Sequence, residues 1–191
     1  MRIGIDIDDT LIDSCDIVKE YVYKYDKDYG NDRVLINNID KILRGNFSEK
    51  EIIDFFSEYA CEMGMKQKVK KNAKEVIDKL ISEGNKIYII TARSDRFYKD
   101  VNTYLKEFLD SNNIKYDKII TACSYKVDIC KEEKIDIMFD DAIDTCESLL
   151  ENGIDAVVFN SNINITKNTK CRRVNNWDEV YDYIKNCKIK N

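Results

Sequence analysis

The chain contains no histidine. That absence excludes serine–histidine triads, histidine-ligated zinc and histidine general bases, and leaves acid–base work to carboxylates above all. Proline is absent too, while Asn, Lys and Ile are abundant; the pattern fits codon bias in an AT-rich genome and carries no mechanism. No Cys-x-x-Cys occurs among Cys15, Cys61, Cys123, Cys130, Cys146, Cys171 and Cys187. An odd, dispersed set of this kind predicts reduced, buried thiols in a cytoplasm rather than a disulfide framework. Long apolar runs are missing as well. The first predicted strand is short and interrupted by acids, so neither a signal peptide nor a membrane span is expected.

Charge is plentiful but mixed: 31 Lys and Arg against 36 Asp and Glu, a net charge of -5. That balance argues against a surface for polymeric nucleic acid. The basic stretch from Lys66 to Lys74 is flanked by acids and reads as a solvated helix face. With 191 residues the chain can build one full domain with a real core and a small insertion.

The pattern along the chain changes once. After an apolar strand that begins at Ile3, ends in Asp6 and Asp8 and turns at Asp9-Thr10, the residues Ile12, Cys15, Val18, Val22 and Tyr25 recur at helical spacing up to Gly30. A short helix is predicted at 38–43. Ser48 stands three residues before Glu51, a capping-box pattern ahead of Ile52, Ile53, Phe55, Phe56 and Tyr59. Residues 13–70 therefore read as helices without a strand. From Ala73 onward helices and strands alternate: a helix to Gly84, a strand at 86–91, a helix at 97–109 and a strand at 118–122. Then come a short helix, a strand at 136–139, a helix to Gly153, a strand at 156–159 and a last helix at 177–186. Strands about 25–30 residues apart with helices between them imply right-handed crossovers and a parallel sheet. The expected architecture is α/β: a three-layer, Rossmann-like parallel sheet over 1–12 and 71–191, with a small helical cap at 13–70 inserted after the first strand.

Ligands in open α/β sheets bind beyond the carboxyl ends of the strands. There the first strand delivers Asp6 and Asp8, which would face the same way on a pleated strand. Two carboxylates held that close repel unless a cation or a shared proton intervenes, and Mg²⁺ prefers such hard oxygen ligands beside substrate phosphate. The second strand leads into Thr91-Ala92-Arg93, the third towards Lys126, and the fourth into Asp140-Asp141. Singly these are ordinary: Thr91 could cap a turn, Lys126 could be solvated, and Asp140-Asp141 could begin a helix. Jointly, at one sheet edge, they supply a nucleophile, a metal site, a hydroxyl and a cation for phosphoryl transfer.

The set Asp6-Ile7-Asp8-Asp9-Thr10-Leu11, Thr91, Lys126 and Asp140-Asp141 resembles the four motifs of the haloacid dehalogenase-like (HAD) phosphohydrolases. The helical insertion, the Ile90-Thr91-Ala92-Arg93 stretch and the late Arg173-Val174-Asn175-Asn176-Trp177 segment resemble, more narrowly, the 5'(3')-deoxyribonucleotidase-type members. The resemblance implies that Asp6 attacks phosphorus and that Asp8 serves as general acid and then base. Mg²⁺ would be held by Asp6, the backbone carbonyl of Asp8, and Asp140 or Asp141, with Asp144 a further outer candidate. Thr91, Ala92, Lys126 and the loop amides at 7–9 would surround the phosphoryl oxygens, and Arg93 would meet the phosphate or the sugar. The expected partner is a small phosphorylated metabolite, a nucleoside monophosphate first; a homodimer is left open. Phe47, beside Asn46 and the capping Ser48, is the preferred stacking residue for a base, whereas the other insertion aromatics are expected to form core. Asp8 disfavours a haloalkanoic dehalogenase, which on this fold lacks the second acid. A sugar-phosphate phosphatase, a regulatory phospho-acceptor and a phosphate-binding protein without turnover are the alternatives.

Overall fold

The computed structural model describes residues 1–28 and 48–189. Strand β1 (Arg2–Ile5) sits at the centre of a sheet, pairing in parallel with β4 (Lys86–Ile90) on one side and β6 (Ile137–Asp140) on the other. Beyond β4 lies β5 (Lys118–Ile120), and beyond β6 lie β7 (Asp155–Phe159) and β8 (Arg172–Val174). The order is β5-β4-β1-β6-β7-β8, every pair parallel. Burial on both faces explains why the inner strands are apolar runs rather than alternating ones.

Successive residues nevertheless go to different layers. Ile3, Ile5, Ile87, Ile89 and Phe139 pack with α3 (Ala73–Ser82), α4 (Val101–Ser111) and α7 (Trp177–Ile189). Tyr88, Ile90, Met138 and Val158 face the opposite way, onto α5 (Lys126–Glu132) and α6 (Ile143–Glu151). Three layers result, as the sequence predicts. Position 4 points to the second face, where a Cβ would meet the Met138 sulfur at 2.5 Å, so glycine fits there.

Between β1 and α3 the chain departs from the sheet. Two-residue strands β2 (Ile12–Asp13) and β3 (Lys68–Val69) pair antiparallel, and the Lys70 N–H donates to the Leu11 carbonyl at 2.9 Å. They bracket α1 (Cys15–Asp28) and α2 (Glu49–Lys66), which meet through Tyr21, Val22, Tyr25, Phe55, Tyr59 and Met63. These aromatics stack edge to face on one another, for example Tyr25 on Phe55 at 5.6 Å between centroids. They form a core, as expected. The capping box is realised: the Glu51 N–H donates to Ser48 Oγ, and the Ser48 N–H donates to the Glu51 carboxylate.

Several boundaries differ from the sequence reading. The stretch 13–70 does contain strand, because β2 and β3 are too short to leave a periodic signal. Strand β8 was not predicted, since Arg172-Arg173-Val174 carries too much charge to read as a buried run. Helix α4 begins only at Val101, after Asp100 at φ 53° supplies the cap for the Thr103 N–H. Strand β5 stops at Ile120, and Ala122 turns away at φ 57°. The thiols are all free but less uniformly buried than expected: Cys130, Cys146 and Cys171 are buried, whereas Cys61 is exposed. The predicted helix at 38–43, Gly30 and Phe47 lie outside the described residues. No described helix is long and apolar enough to cross a membrane.

Candidate active site

Asp6 is not on β1 but one residue past it, its N–H donating to the Phe139 carbonyl at 3.0 Å. Asp8 lies two residues further on, outside the strand. The chain then turns: Asp9 adopts φ 52°, and the N–H groups of Leu11 and Ile12 return to the Ile7 carbonyl. Asp9 itself holds the start of α1, its Oδ1 accepting from the N–H groups of Ser14 and Cys15 at 3.0 and 3.1 Å. The Ser14 hydroxyl in turn accepts from the Asp9 N–H and donates to Asp8 Oδ1 at 2.9 Å. The Trp177 indole N–H donates to the Thr10 carbonyl, so α7 braces the same loop.

Lys126, the first residue of α5, is buried and donates to Asp6 Oδ1 at 2.5 Å and to Asp140 Oδ2 at 2.7 Å. Asp140, at the end of β6, also accepts from the Ala142 N–H at 2.9 Å. One carboxylate oxygen each from Asp6, Asp140 and Asp141 lies within 4.8 Å of the others. Burial and the surrounding acids push Asp141 up to about 9. Burial also raises Asp6, to about 7, against the opposing pull of Lys126. Burial works against the Lys126 charge, yet Asp140 and Asp6 outweigh it and hold its pKa above the usual lysine value.

Three crowded carboxylates with one ammonium, bonded to Asp6 and Asp140, are short of positive charge. A hard divalent cation would supply it, and the donor set, all oxygen, fits Mg²⁺. A consequence can be measured. A carboxyl whose folded pKa exceeds its unfolded value keeps its proton longer in the folded state. Without a cation, stability contributed here falls as pH rises from about 4, the unfolded value, towards the 7 and 9 of Asp6 and Asp141. Millimolar Mg²⁺ should therefore raise the thermal midpoint more at pH 8.5 than at pH 5.5, by several degrees against about one. Equal shifts at both pH values would contradict cation binding at this cluster.

Asp8 is held differently. Arg93 reaches it with two bonds, Nε to Oδ2 at 2.9 Å and Nη2 to Oδ1 at 2.7 Å. Burial opposes ionisation, but the Arg93 charge and hydrogen bonds, aided by Ser14, hold the Asp8 carboxyl below the usual range. Arg93, a further candidate for phosphate or sugar from the sequence, is engaged here by the Asp8 carboxylate. Thr91 is buried, with its Oγ1 accepting from the Arg93 N–H at 3.2 Å, and Ala92 between them is exposed. Asp144 is exposed on α6.

The structure thus gathers Asp6, Lys126, Asp140 and Asp141 into one cluster, and sets Asp8 with Arg93 next to it. Ser14, Gln67, Tyr104 and Asn164 are not among the residues singled out by sequence. Asn164 is buried behind the acids: its amide donates to the carbonyls of Asp141 and Phe159, both at 2.8 Å, and its Oδ1 accepts from the Ser161 N–H. Arg173 donates to that Oδ1 and to Asn160 Oδ1, which gives the late basic segment a structural role. Gln67 and Asn164 carry no local signal because their partners Arg93 and Asp141 lie 26 and 23 positions away, whereas Ser14 acts within its own loop, on Asp9 and Asp8.

Comparison with known proteins bears on the family and the fold. A family model described as 5' nucleotidase, deoxy (pyrimidine), cytosolic type C protein matches residues 1–190. A nucleotidase from Clostridium acetobutylicum is 28% identical over 189 residues, covering 96% of this chain and 93% of its own. Among solved structures, a haloacid dehalogenase-like family hydrolase from Streptococcus pneumoniae superposes with a TM-score of 0.69 at 15% identity, over 96% of this chain and 97% of that one. A predicted phosphatase from Clostridium acetobutylicum gives 0.71 at 17% identity, over 97% and 98%. At such identities the structural likeness speaks to the fold.

Proposed function

The chain belongs to the cytosolic type C family of 5' (deoxy, pyrimidine) nucleotidases, phosphomonoester hydrolases acting on small phosphorylated substrates, and from that premise we propose that it hydrolyses nucleoside monophosphates, deoxyribonucleotides first, through a phosphoryl group carried on Asp6. The observation that carries this reading is the joint hold of Lys126 on Asp6 and Asp140, beside Asp141, at the carboxyl ends of adjacent strands.

An oxygen of Asp6 attacks phosphorus as the ester oxygen leaves with a proton from Asp8. Water then attacks the phosphoryl group, giving its proton to Asp8, and inorganic phosphate departs as the Asp6 carboxylate is restored. Asp8 is ionised in the free protein; an arriving phosphate dianion adds like charge and favours its protonated form. Lys126 and the Thr91 hydroxyl compensate charge on the phosphoryl oxygens. Mg²⁺, held by Asp6, Asp140 and Asp141 together with the Asp8 carbonyl, would screen the nucleophile from the phosphate it attacks. Residues 13–70 serve as a cap that excludes water from this site, and the base would lie against the cap. We place the protein in the cytoplasm, where the seven free thiols would stay reduced.

The test is phosphate release from a panel of deoxyribonucleotides, ribonucleotides, sugar phosphates and phosphoglycolate, with Mg²⁺ and with chelator. Release concentrated on nucleoside monophosphates and lost with chelator is expected. Release favouring sugar phosphates would overturn the substrate assignment and keep the chemistry.

A further inference from the structure

The guanidinium of Arg93 is almost fully committed. Besides its two bonds to Asp8, Nη2 donates to Gln67 Oε1 at 2.7 Å and Nη1 donates to the Tyr104 hydroxyl at 3.3 Å. Four of its five N–H groups are thereby directed at protein acceptors. The rings of Tyr98 and Tyr104 flank it, with centroids 5.3 and 5.9 Å from the guanidinium carbon. Exposure separates the partners sharply: the Arg93 side chain is 4% exposed and the Asp8 side chain 45%. Asp8 therefore faces the open side of the pair while Arg93 stands behind it.

The groups that fix Arg93 come from two directions. Tyr104 is on α4, against the sheet, whereas Gln67 is the residue that ends α2. Helix α2 also packs directly on Tyr104: a Cβ at Gly64 would lie 1.7 Å from the tyrosine oxygen, so only glycine admits that hydroxyl. The end of α2 touches the arginine and one of its supports.

We propose that Arg93 is a positioning residue that sets the orientation of the Asp8 carboxylate, and that Gln67 ties this orientation to the end of helix α2. The inference rests on the reading of Asp8 as general acid and base. A planar fork paired with a carboxylate fixes both position and plane, which a lysine cannot do. Because Gln67 holds the same nitrogen as Asp8 Oδ1, a displacement of α2 moves the fork and hence the acid.

The test uses two substrates of nearly equal size, phenyl phosphate and 4-nitrophenyl phosphate. Phenolate is the more basic leaving group and depends more on a well-placed acid. The quantity read is kcat/KM, which covers events up to departure of the leaving group. In Arg93→Lys it should fall by about 30- to 100-fold for phenyl phosphate and by less than about 3-fold for 4-nitrophenyl phosphate. Gln67→Leu, at a helix end and without loss of charge, should show the same selectivity at about 5- to 10-fold; it carries the test if Arg93→Lys fails to fold. Equal losses on both substrates with raised KM would place Arg93 on the substrate and overturn the proposal. Unchanged ratios would reduce the cluster to a packing feature and overturn it as well. Asp8→Asn separates the two levels: if that variant shows no leaving-group selectivity, the acid assignment itself fails. If it is selective and Arg93→Lys is not, only the positioning role falls.

Discussion

Replacing Asp6 by Asn is expected to lower phosphate release by about 10⁴-fold or more while leaving the fold in place. An amide oxygen is a poor nucleophile and cannot form the acyl phosphate that the route requires. The structural cost is small for a specific reason. Burial and the neighbouring acids raise the Asp6 carboxyl to about 7, so without a cation much of it is already neutral near neutral pH. Asparagine keeps an oxygen to accept from Lys126 and removes one member of a crowded acid group. The thermal midpoint in chelator should stay within about 3 °C of wild type. Residual activity above about a tenth, measured on a correctly folded sample, would contradict the assignment of Asp6 as nucleophile.

Lys126→Met is expected to damage stability as well as activity. Its ammonium lies between two buried carboxylates, at 5% side-chain exposure, and is their shared hydrogen-bond donor. Methionine fills a similar volume but leaves that charge uncompensated, a change that costs about 3–5 kcal/mol when a buried pair is broken. The cost can be relieved by protonation of the acids, so it should shrink towards acid pH. Urea unfolding in chelator should show a loss of about 3 kcal/mol at pH 8 and about 1 kcal/mol at pH 5.5. Added Mg²⁺ should restore part of the stability and little of the turnover, since the phosphate loses a cation that the metal does not replace. A loss independent of pH would mean that Lys126 acts by packing rather than by charge.

How much of this was legible in the sequence depends on range. The parallel sheet could be read because each strand is a short apolar run followed by a helix. The four edge motifs could be read because each sits where such a run stops. Asp6 and Asp8 are legible because they follow the first apolar run, although they lie one and three residues past the end of its strand. The charge of Arg93 was visible, but its target was not, because the choice between Asp8 and a phosphate depends on burial. Gln67 and Asn164 carried no sign at all; each matters through a partner 26 or 23 positions away. The pairing of β2 with β3 escaped because two residues make no period.

The most direct measurement is acid quench of the protein during turnover of a radiolabelled deoxyribonucleoside monophosphate with Mg²⁺, followed by peptide mapping. The account predicts label on the peptide containing Asp6, stable in acid, released by hydroxylamine and absent from Asp6→Asn. Active turnover with no label at Asp6, or label on any other residue, would contradict it.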